Sequence, residues 1–332
     1  MAWFERLIGH PEGDPEAVRR LLRVDGDRLV CDDNGRSWQC GRLETPSLAE
    51  LRTQAFKTSA PATVREVVAD VQSLHADPAS AGAVFQVASQ FNLLEMVSPS
   101  VTPEQGVSRY ESDPTQGPAC AIAAGAGTIV RNYFTDVDGH RGQTADRQID
   151  CSADLHAALR GDGPPLWRTR NGYALPDVAS LRQAADRIDA AGEAGRDELR
   201  GLLRVGVQRD TEVTLPGCGH TVTQVFCSAM PVAYGELPAD EWEPLARLVL
   251  EAAYEATLLI AANVSSSAND TVRPTFLTML GGGAFGNRPD WIVDAAARAV
   301  RLVGGLDARM VSYGSPSPAV ERLVREVGSA PE

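Results

Sequence analysis

TFLTMLGGGAFGN, residues Thr275–Asn287, is the stretch on which the fold turns. Thr275–Leu280 is a short apolar run of the kind that forms a buried strand, and a helix is predicted over Pro289–Val303. Pro289 at the start of that helix, with Asp290 beside it, suits a helix beginning. A glycine-rich turn after a parallel strand lies at the carboxyl edge of a sheet, where α/β proteins bind ligands. Glycines let the backbone approach a ligand and take up positive φ. Successive N–H groups can then form an anion nest, completed by the helix that follows. No Lys-Ser/Thr follows the glycines, so this is not a Walker A loop, and it is not GxGxxG in register. The same residues would also make a tight strand-to-helix turn with no ligand, although three glycines in a row carry an entropic cost for that purpose alone.

Working outward, the second half of the chain alternates strands and helices. Arg309–Tyr313 is a last strand and Ser317–Val327 a last helix. Upstream, Asp240–Ala262 is a long amphipathic helix, and Val205–Leu215 and Thr221–Ala229 read as strands. Asp177–Leu203 is helical in composition, and residues 135–175 look irregular. Ala119–Ala126 is a small-residue helix continuing towards Tyr133, and residues 98–117 form a polar loop. Ala83–Phe91 is an apolar strand running into Asn92. Thr63–His75 is predicted as a helix, because Val64, Val67, Val68 and Val71 fall on one face. The first 55 residues read as a short helix, a hairpin (Arg28–Cys31, then Ser37–Gly41) turning at Asn34-Gly35, and a helix over Ser47–Phe56 opened by a Ser47/Glu50 capping box. No internal repeat of fixed period is present. Such alternation predicts a layered α/β sheet.

Bulk properties bound the function. The chain has 332 residues, 43% of them apolar and 23% charged, which is ample for a real core. The net charge of −13 argues against a nucleic-acid polymer or an anionic membrane as partner, since either needs Lys/Arg to displace counterions. It leaves room for one small anion held by backbone N–H groups. The start MAWFERLIGH lacks the pattern of a secretory signal, and Arg247, Glu251 and Glu255 break the longest apolar helical stretch, so a cytoplasmic protein is expected. The cysteines at 31, 40, 120, 151, 218 and 227 form no CxxC pair. Reduced cysteines are expected; Cys31 and Cys40 flank the hairpin turn, where a disulfide is the alternative. No metal site can be read from the acidic residues, and no cofactor is required.

Gly283-Ala284-Phe285-Gly286 resembles the G-[IV]-[FY]-G loop of macrodomains, and Val87–Asn92 resembles the macrodomain strand that ends in Ala-x-Asn and holds the distal ribose. Over most of the chain, from about Trp3 to Gly314, the sequence looks like the MavL-like ADP-ribosylhydrolases. The resembling segments are FQVASQFNLLEM, YESDPTQGPACA, RNYF, DTEVT, QVFCSAMPVAY and LGGGAFGN. The resemblance implies a macrodomain-like mixed sheet between helices. An N-terminal helix/hairpin extension (1–80) would pack on an ADP-ribose-binding domain (81–332), with a largely helical insertion at about 132–204. It implies removal of ADP-ribose from a modified side chain, arginine included and arginine on ubiquitin among the family's substrates. A reader module without turnover, or a hydrolase of a small ADP-ribose derivative, would use the same pocket.

The chemistry names its own candidates. Breaking a glycosidic bond at the ribose anomeric carbon passes through an oxocarbenium-like transition state, which carboxylates stabilise while activating water or protonating the leaving group. Asp113 lies in the polar loop just before Thr115-Gln116-Gly117, and Asp210 and Glu212 alternate along an extended segment and would point the same way. Arg209 beside them offers an ordinary ion pair instead. Asp136 and Asp138 are weaker candidates on a polar loop. For ligand binding the candidates are Gln90, Asn92, Gln116, Gly281, Gly282, Gly283, Ala284, Phe285, Gly286, Asn287 and Tyr313. Phe4, with Trp3, could stack on adenine or pack onto the core, and Gln86 reads as a buried structural amide. No metal ligand is named.

Overall fold

The computed structural model describes residues 1–54, 61–235, 237–267 and 272–328. At its centre is a seven-stranded mixed sheet in the order Arg42–Glu44, Gly206–Glu212, Thr221–Cys227, Val84–Ala88, Pro274–Leu277, Asp307–Ser312, Thr63–Val68. From Thr221–Cys227 onward neighbouring strands are parallel, whereas Gly206–Glu212 runs antiparallel to both its neighbours. Parallel strands are covered on both faces, and the central ones, Thr221–Cys227 and Val84–Ala88, are buried almost throughout. Val84–Ala88 shows how the faces are divided. Phe85 stacks on His75 at 3.7 Å on one side, and the Gln86 amide donates to Thr257 Oγ1 of the long helix Ala239–Ser267 on the other. Gln86 also accepts from the Thr278 N–H, the structural role its sequence context suggested.

On one face the helices Val71–Ala76, Gln116–Ala123 and Gly125–Tyr133 pack. On the other lie Ala239–Ser267, Pro289–Leu302 and Pro318–Gly328. The mixed sheet between helices is therefore as expected. Both edge strands come from the first 80 residues, which thus build the sheet as well as carrying the helix and the Arg28–Cys31/Ser37–Gln39 hairpin. The Ser47/Glu50 capping box is formed at the helix Leu48–Thr53; the predicted continuation to Phe56 lies outside the described residues. Thr63–Val68 is a correction: it is a strand. Its β-branched valines satisfy either period, and pairing with every residue of Asp307–Ser312 decides for the sheet. The helix begins only after Asp70, whose carboxylate caps it at the Ser73 N–H. In the insertion, the helices Ala153–Arg160, Val178–Ala190 and Gly192–Leu202 accompany a hairpin of Arg168–Arg170 with Tyr173–Leu175.

All six cysteines are free, Cys31 and Cys40 included. Among the described residues no helix is long and apolar enough to cross a membrane.

Candidate functional site

The five parallel strands end on one edge, and the segments leaving them gather there. After Leu277 comes the glycine loop. It is closed by bonds from the Gly282 N–H to Met279 O (2.9 Å), Gly286 N–H to Gly283 O (3.0 Å) and Asn287 N–H to Gly281 O (2.9 Å). Gly281 and Gly286 take positive φ of 72° and 70°. The Asn287 amide donates to Met230 O, fastening the loop to the segment that leaves Thr221–Cys227. Gly282, Gly283 and Ala284 are exposed, and among the described residues the N–H groups of Gly283, Ala284 and Phe285 have no protein acceptor. A run of N–H groups without protein acceptors at a sheet's carboxyl edge is what an anion nest requires. Phe285 does not stand alone: its ring lies 5.3 Å from Tyr173 and 5.5 Å from Tyr234.

Beside this loop, the central strand Val84–Ala88 is met by the start of the helix Gln116–Ala123. The Gln116 amide accepts from the Ala88 N–H (2.9 Å) and donates to Gln86 O (2.8 Å), so it continues the strand's hydrogen bonding. Gln116 thereby sets the position of the residues just before it. Asp113 is half-buried, and its carboxylate accepts from the Thr115 N–H (2.9 Å) and hydroxyl (2.6 Å). Its charge reaches two buried groups, Glu95 and Tyr173, and raises the pKa of both as a minor contribution. Tyr173 packs against Phe285 and Tyr234, and its hydroxyl donates to Met96 O. Tyr313, 83% exposed, stands just beyond the end of Asp307–Ser312 on the same edge.

Other expected residues are placed differently. Asp210 and Glu212 do not join this site. Their strand is antiparallel, so Gly206 pairs near the carboxyl edge with Phe226 while Glu212 pairs with Thr221 at the other end. At about 3.3 Å per residue, the length of Thr221–Cys227 separates them from the site by roughly 20 Å. They do not share a direction either, because a bulge between Gln208 and Thr211 places Asp210 at φ 52°. Asp210 lines a cleft of about 920 Å³ at the far edge, near Arg42 and Arg273. Glu212 accepts from the Gln39 N–H, and Arg209 pairs with Glu44. Phe4 is fully buried in a core with Ile8, Leu94 and Tyr110, which leaves no face for adenine. Asn92 is also fully buried: its amide donates to Gln148 and accepts from the Leu94 N–H. Gln90 accepts from the Met96 N–H, and the insertion hairpin is pinned over this turn by the Phe91 N–H to Gly172 O bond. Gln90 and Asn92 shape the edge from beneath. Asp136 accepts from the Gly139 N–H in a two-residue hairpin, with Asp138 at its turn.

Sequence reasoning passed over a buried pair behind the site. Glu95 and Arg131 are 3.7 Å apart, and neither side chain is more than 1% exposed. Burial pushes the Glu95 carboxyl up to about 8, the Arg131 guanidinium pulling the other way. Neither Glu95 oxygen accepts a hydrogen bond. At 3.7 Å the attraction lacks a hydrogen bond, so desolvation prevails while the guanidinium keeps its charge. Arg131 Nε donates to Leu93 O, holding that residue at φ 65°, and its guanidinium stacks 3.7 Å over Phe226. Glu95 follows Asn92 by three residues in NLLEM, but nothing local in that sequence signals its burial. Tyr173 and Tyr234 were missed because they come from the insertion hairpin and from the turn after Thr221–Cys227. Among the described residues no cluster of His, Cys, Asp or Glu is placed to hold a metal ion.

No family model matches the sequence, and no curated protein matches it. Solved structures similar to this chain include the poly(ADP-ribose) glycohydrolase of Thermomonospora curvata, at 13% identity over 94% of this chain and 95% of that one, with a TM-score of 0.45. The poly(ADP-ribose) glycohydrolase of Deinococcus radiodurans in complex with ADP-ribose is similar at 14% identity over 86% of this chain and 94% of that one, also with a TM-score of 0.45.

Proposed function

We propose that the protein is an ADP-ribosylhydrolase that releases ADP-ribose from a modified protein side chain, arginine being the acceptor that suits the site best. The observation that carries the reading is the juxtaposition of the free Gly283–Phe285 N–H groups with the Asp113 loop on the adjoining strand. In this reading the N–H groups take the diphosphate, Tyr313 flanks the nucleoside, and Asp113 faces the anomeric carbon. The carbon–nitrogen bond breaks with its electron pair going to the guanidine. Water adds to the anomeric carbon, Asp113 accepts its proton and then passes it to the departed neutral guanidine, which becomes guanidinium while Asp113 returns to the carboxylate. No metal and no cofactor are required, and a cytoplasmic setting fits the free cysteines.

Glycoside hydrolysis ordinarily uses two carboxyl groups, one protonating the leaving group. Here Asp113 is the half-exposed carboxylate identified at the edge, with Glu95 buried behind it. An arginine linkage is already cationic and departs as a neutral guanidine, so it needs no separate acid. A ribose–ribose oxygen linkage does need one. The site therefore favours the nitrogen-linked acceptor. The half-buried Asp113, with Glu95 withdrawn into the core, equally supports the second reading, a module that holds ADP-ribose without turnover. The test is release of ADP-ribose from arginine-ADP-ribosylated protein. Wild type is expected to be active, and Asp113→Asn inactive while binding ADP-ribose by calorimetry. No binding at millimolar ADP-ribose sinks the proposal, and full activity in Asp113→Asn removes Asp113 from it. Binding without release by the wild type establishes the reader.

A further inference from the structure

The loop that carries Asp113 is long, has no sheet partner, and is held from outside itself. Its two turns, Pro103–Gln105 and Ser108–Ser112, are single 3₁₀ segments. Downstream, Gln116 fixes it to the central strand. Upstream, the anchors come from the first twelve residues of the chain. The Glu12 carboxylate accepts from the Val107 N–H (2.8 Å), the Ser108 N–H (2.7 Å) and the Tyr133 hydroxyl (2.6 Å). The Trp3 indole donates to Val107 O at 2.9 Å. Glu111 accepts from the Trp3 N–H at 3.1 Å and from Arg6 at 2.6 Å. The backbone lies so close to this carboxylate that a Cβ at Gly106, where φ is 86°, would fall 2.6 Å from Glu12 Oε2.

We propose that Glu12 is a positioning residue for the edge site: it fixes Val107 and Ser108, and through them the place of the Asp113 carboxylate. The inference rests on the assignment of Asp113 above. A carboxylate suits the task because it accepts several bonds at once, and bonds to a charged acceptor are about twice as strong as neutral ones. Glu12 satisfies the opening N–H groups of the Ser108–Ser112 turn much as a capping side chain satisfies a helix start. The Tyr133 hydroxyl holds the carboxylate in turn from the helix Gly125–Tyr133. With Gln116 fixed downstream, the 107–115 segment has an anchor at each end, and Asp113 sits between them. Cutting the upstream anchor lets Asp113 move while leaving the glycine loop, on a different strand, untouched.

Glu12→Gln keeps the shape but replaces one accepting oxygen by a donor, leaving one of the backbone N–H groups without its partner. Glu111→Ala is the second variant; it cuts the exposed Arg6 tie and removes nothing from the core. Hydrogen–deuterium exchange of the full chain is the first readout and needs no activity. Faster exchange at 107–115 in Glu12→Gln, with Val84–Ala88 unchanged, supports the proposal; exchange equal to wild type there, or raised equally in both segments, overturns it. The second readout is turnover. A displacement of about 1 Å can cost on the order of a hundredfold. The expected result is a kcat at least tenfold lower in Glu12→Gln, a smaller fall in Glu111→Ala, and an ADP-ribose Kd within twofold of wild type in both. Unchanged kcat in Glu12→Gln overturns the proposal, as does a parallel loss of kcat, ADP-ribose binding and Tm. If the wild type itself releases no ADP-ribose, the hydrolase reading fails and the exchange result alone decides whether Glu12 holds the loop.

Discussion

Gly281→Ala is expected to cost the protein its ADP-ribose affinity far more than its fold. Gly281 sits at φ 72°, where an L-residue is strained by about 1–2 kcal/mol. Its new methyl would lie 2.5 Å from the Ala229 Cβ and 2.7 Å from the Asn287 amide nitrogen. Neither neighbour can swing away: Ala229 has no rotamer to change, and the Asn287 amide is the bond that fastens the loop to Met230. Overpacking of this sort costs about 1–3 kcal/mol. The loop can escape most of the total by opening locally. A local penalty of about 3 kcal/mol leaves the closed form at roughly 1% of the population where the two forms were balanced. Apparent affinity falls with the population of the competent form, so the loss is up to roughly two orders of magnitude. Gly283→Ala is the control: no atom lies within 4 Å of its added methyl, its φ is not positive, and the N–H is retained. Calorimetry with ADP-ribose, alongside urea denaturation, reads both effects. Wild-type affinity in Gly281→Ala would refute the assignment of this loop as the diphosphate cradle.

Other consequences are more local. Glu255, 4% exposed, is held by Arg52 and Arg298 at 2.6 Å each, so Glu255→Gln takes the buried charge from two partly buried guanidinia and leaves them Asp197 alone. A loss of about 3 kcal/mol is expected. At about 2.1 cal/mol/K per residue this corresponds to a Tm drop of about 4 °C, measurable by calorimetry; no change would show the network to be neutral. The Glu95 carboxyl, raised by burial from 4.5 to about 8, keeps its proton in the native state after the unfolded chain has released it. Its contribution is therefore complete below about 4.5 and is lost as pH rises to about 8. His75, depressed to about 4 by burial, works the other way, losing stability as pH falls from 6.5 towards 4. Denaturation midpoints at pH 5 and pH 8 should fall less steeply in Glu95→Gln than in wild type; parallel slopes would contradict this. Tyr313→Ala should leave stability within about 0.5 kcal/mol, since the side chain is 83% exposed. It should weaken ADP-ribose binding roughly tenfold, as loss of a ring stacked on the base would; unchanged affinity would remove Tyr313 from the proposed site.

Local chemistry was legible in the sequence where a residue's role is set by its neighbours along the chain. The Ser47/Glu50 cap, the Asn34-Gly35 hairpin, the long Ala239–Ser267 helix and the glycine loop with its Pro289 helix all fall in this group. Thr63–Val68 was not legible, because valines at 64, 67, 68 and 71 fit a helical face as well as a strand, and the deciding partner is more than 240 residues away. Asp70 was the available clue, a helix cap placed after those valines. Site residues divide in the same way. Gln116 and Asn287 lie at the carboxyl edge, and each spends its side chain on backbone. Phe4 and Asn92 are buried by tertiary packing that no period reveals. Glu95, Arg131 and Tyr173 reach the site only through folding of segments far apart in sequence.

The direction of one strand has the largest chemical consequence. Asp210 and Glu212 looked like partners of Asp113 because a strand carrying alternate carboxylates can aim both at one ligand. Gly206–Glu212 is the strand that opposes its neighbours, so its carboxylates belong to the amino edge and to the pairing around Gln39 and Glu44. What remains between the glycine loop and the helix Gln116–Ala123 is the half-buried Asp113 carboxylate, a row of N–H groups without protein acceptors among the described residues, and an aromatic cluster. That set can hold a diphosphate and activate a water, but it has little with which to protonate a leaving group. The proposed chemistry is then that of leaving groups that depart without an added proton. A guanidine leaving a cationic linkage meets that condition, and a ribose hydroxyl does not. On the function proposed above, the direction of this strand therefore favours ADP-ribose linkages through nitrogen over those through oxygen.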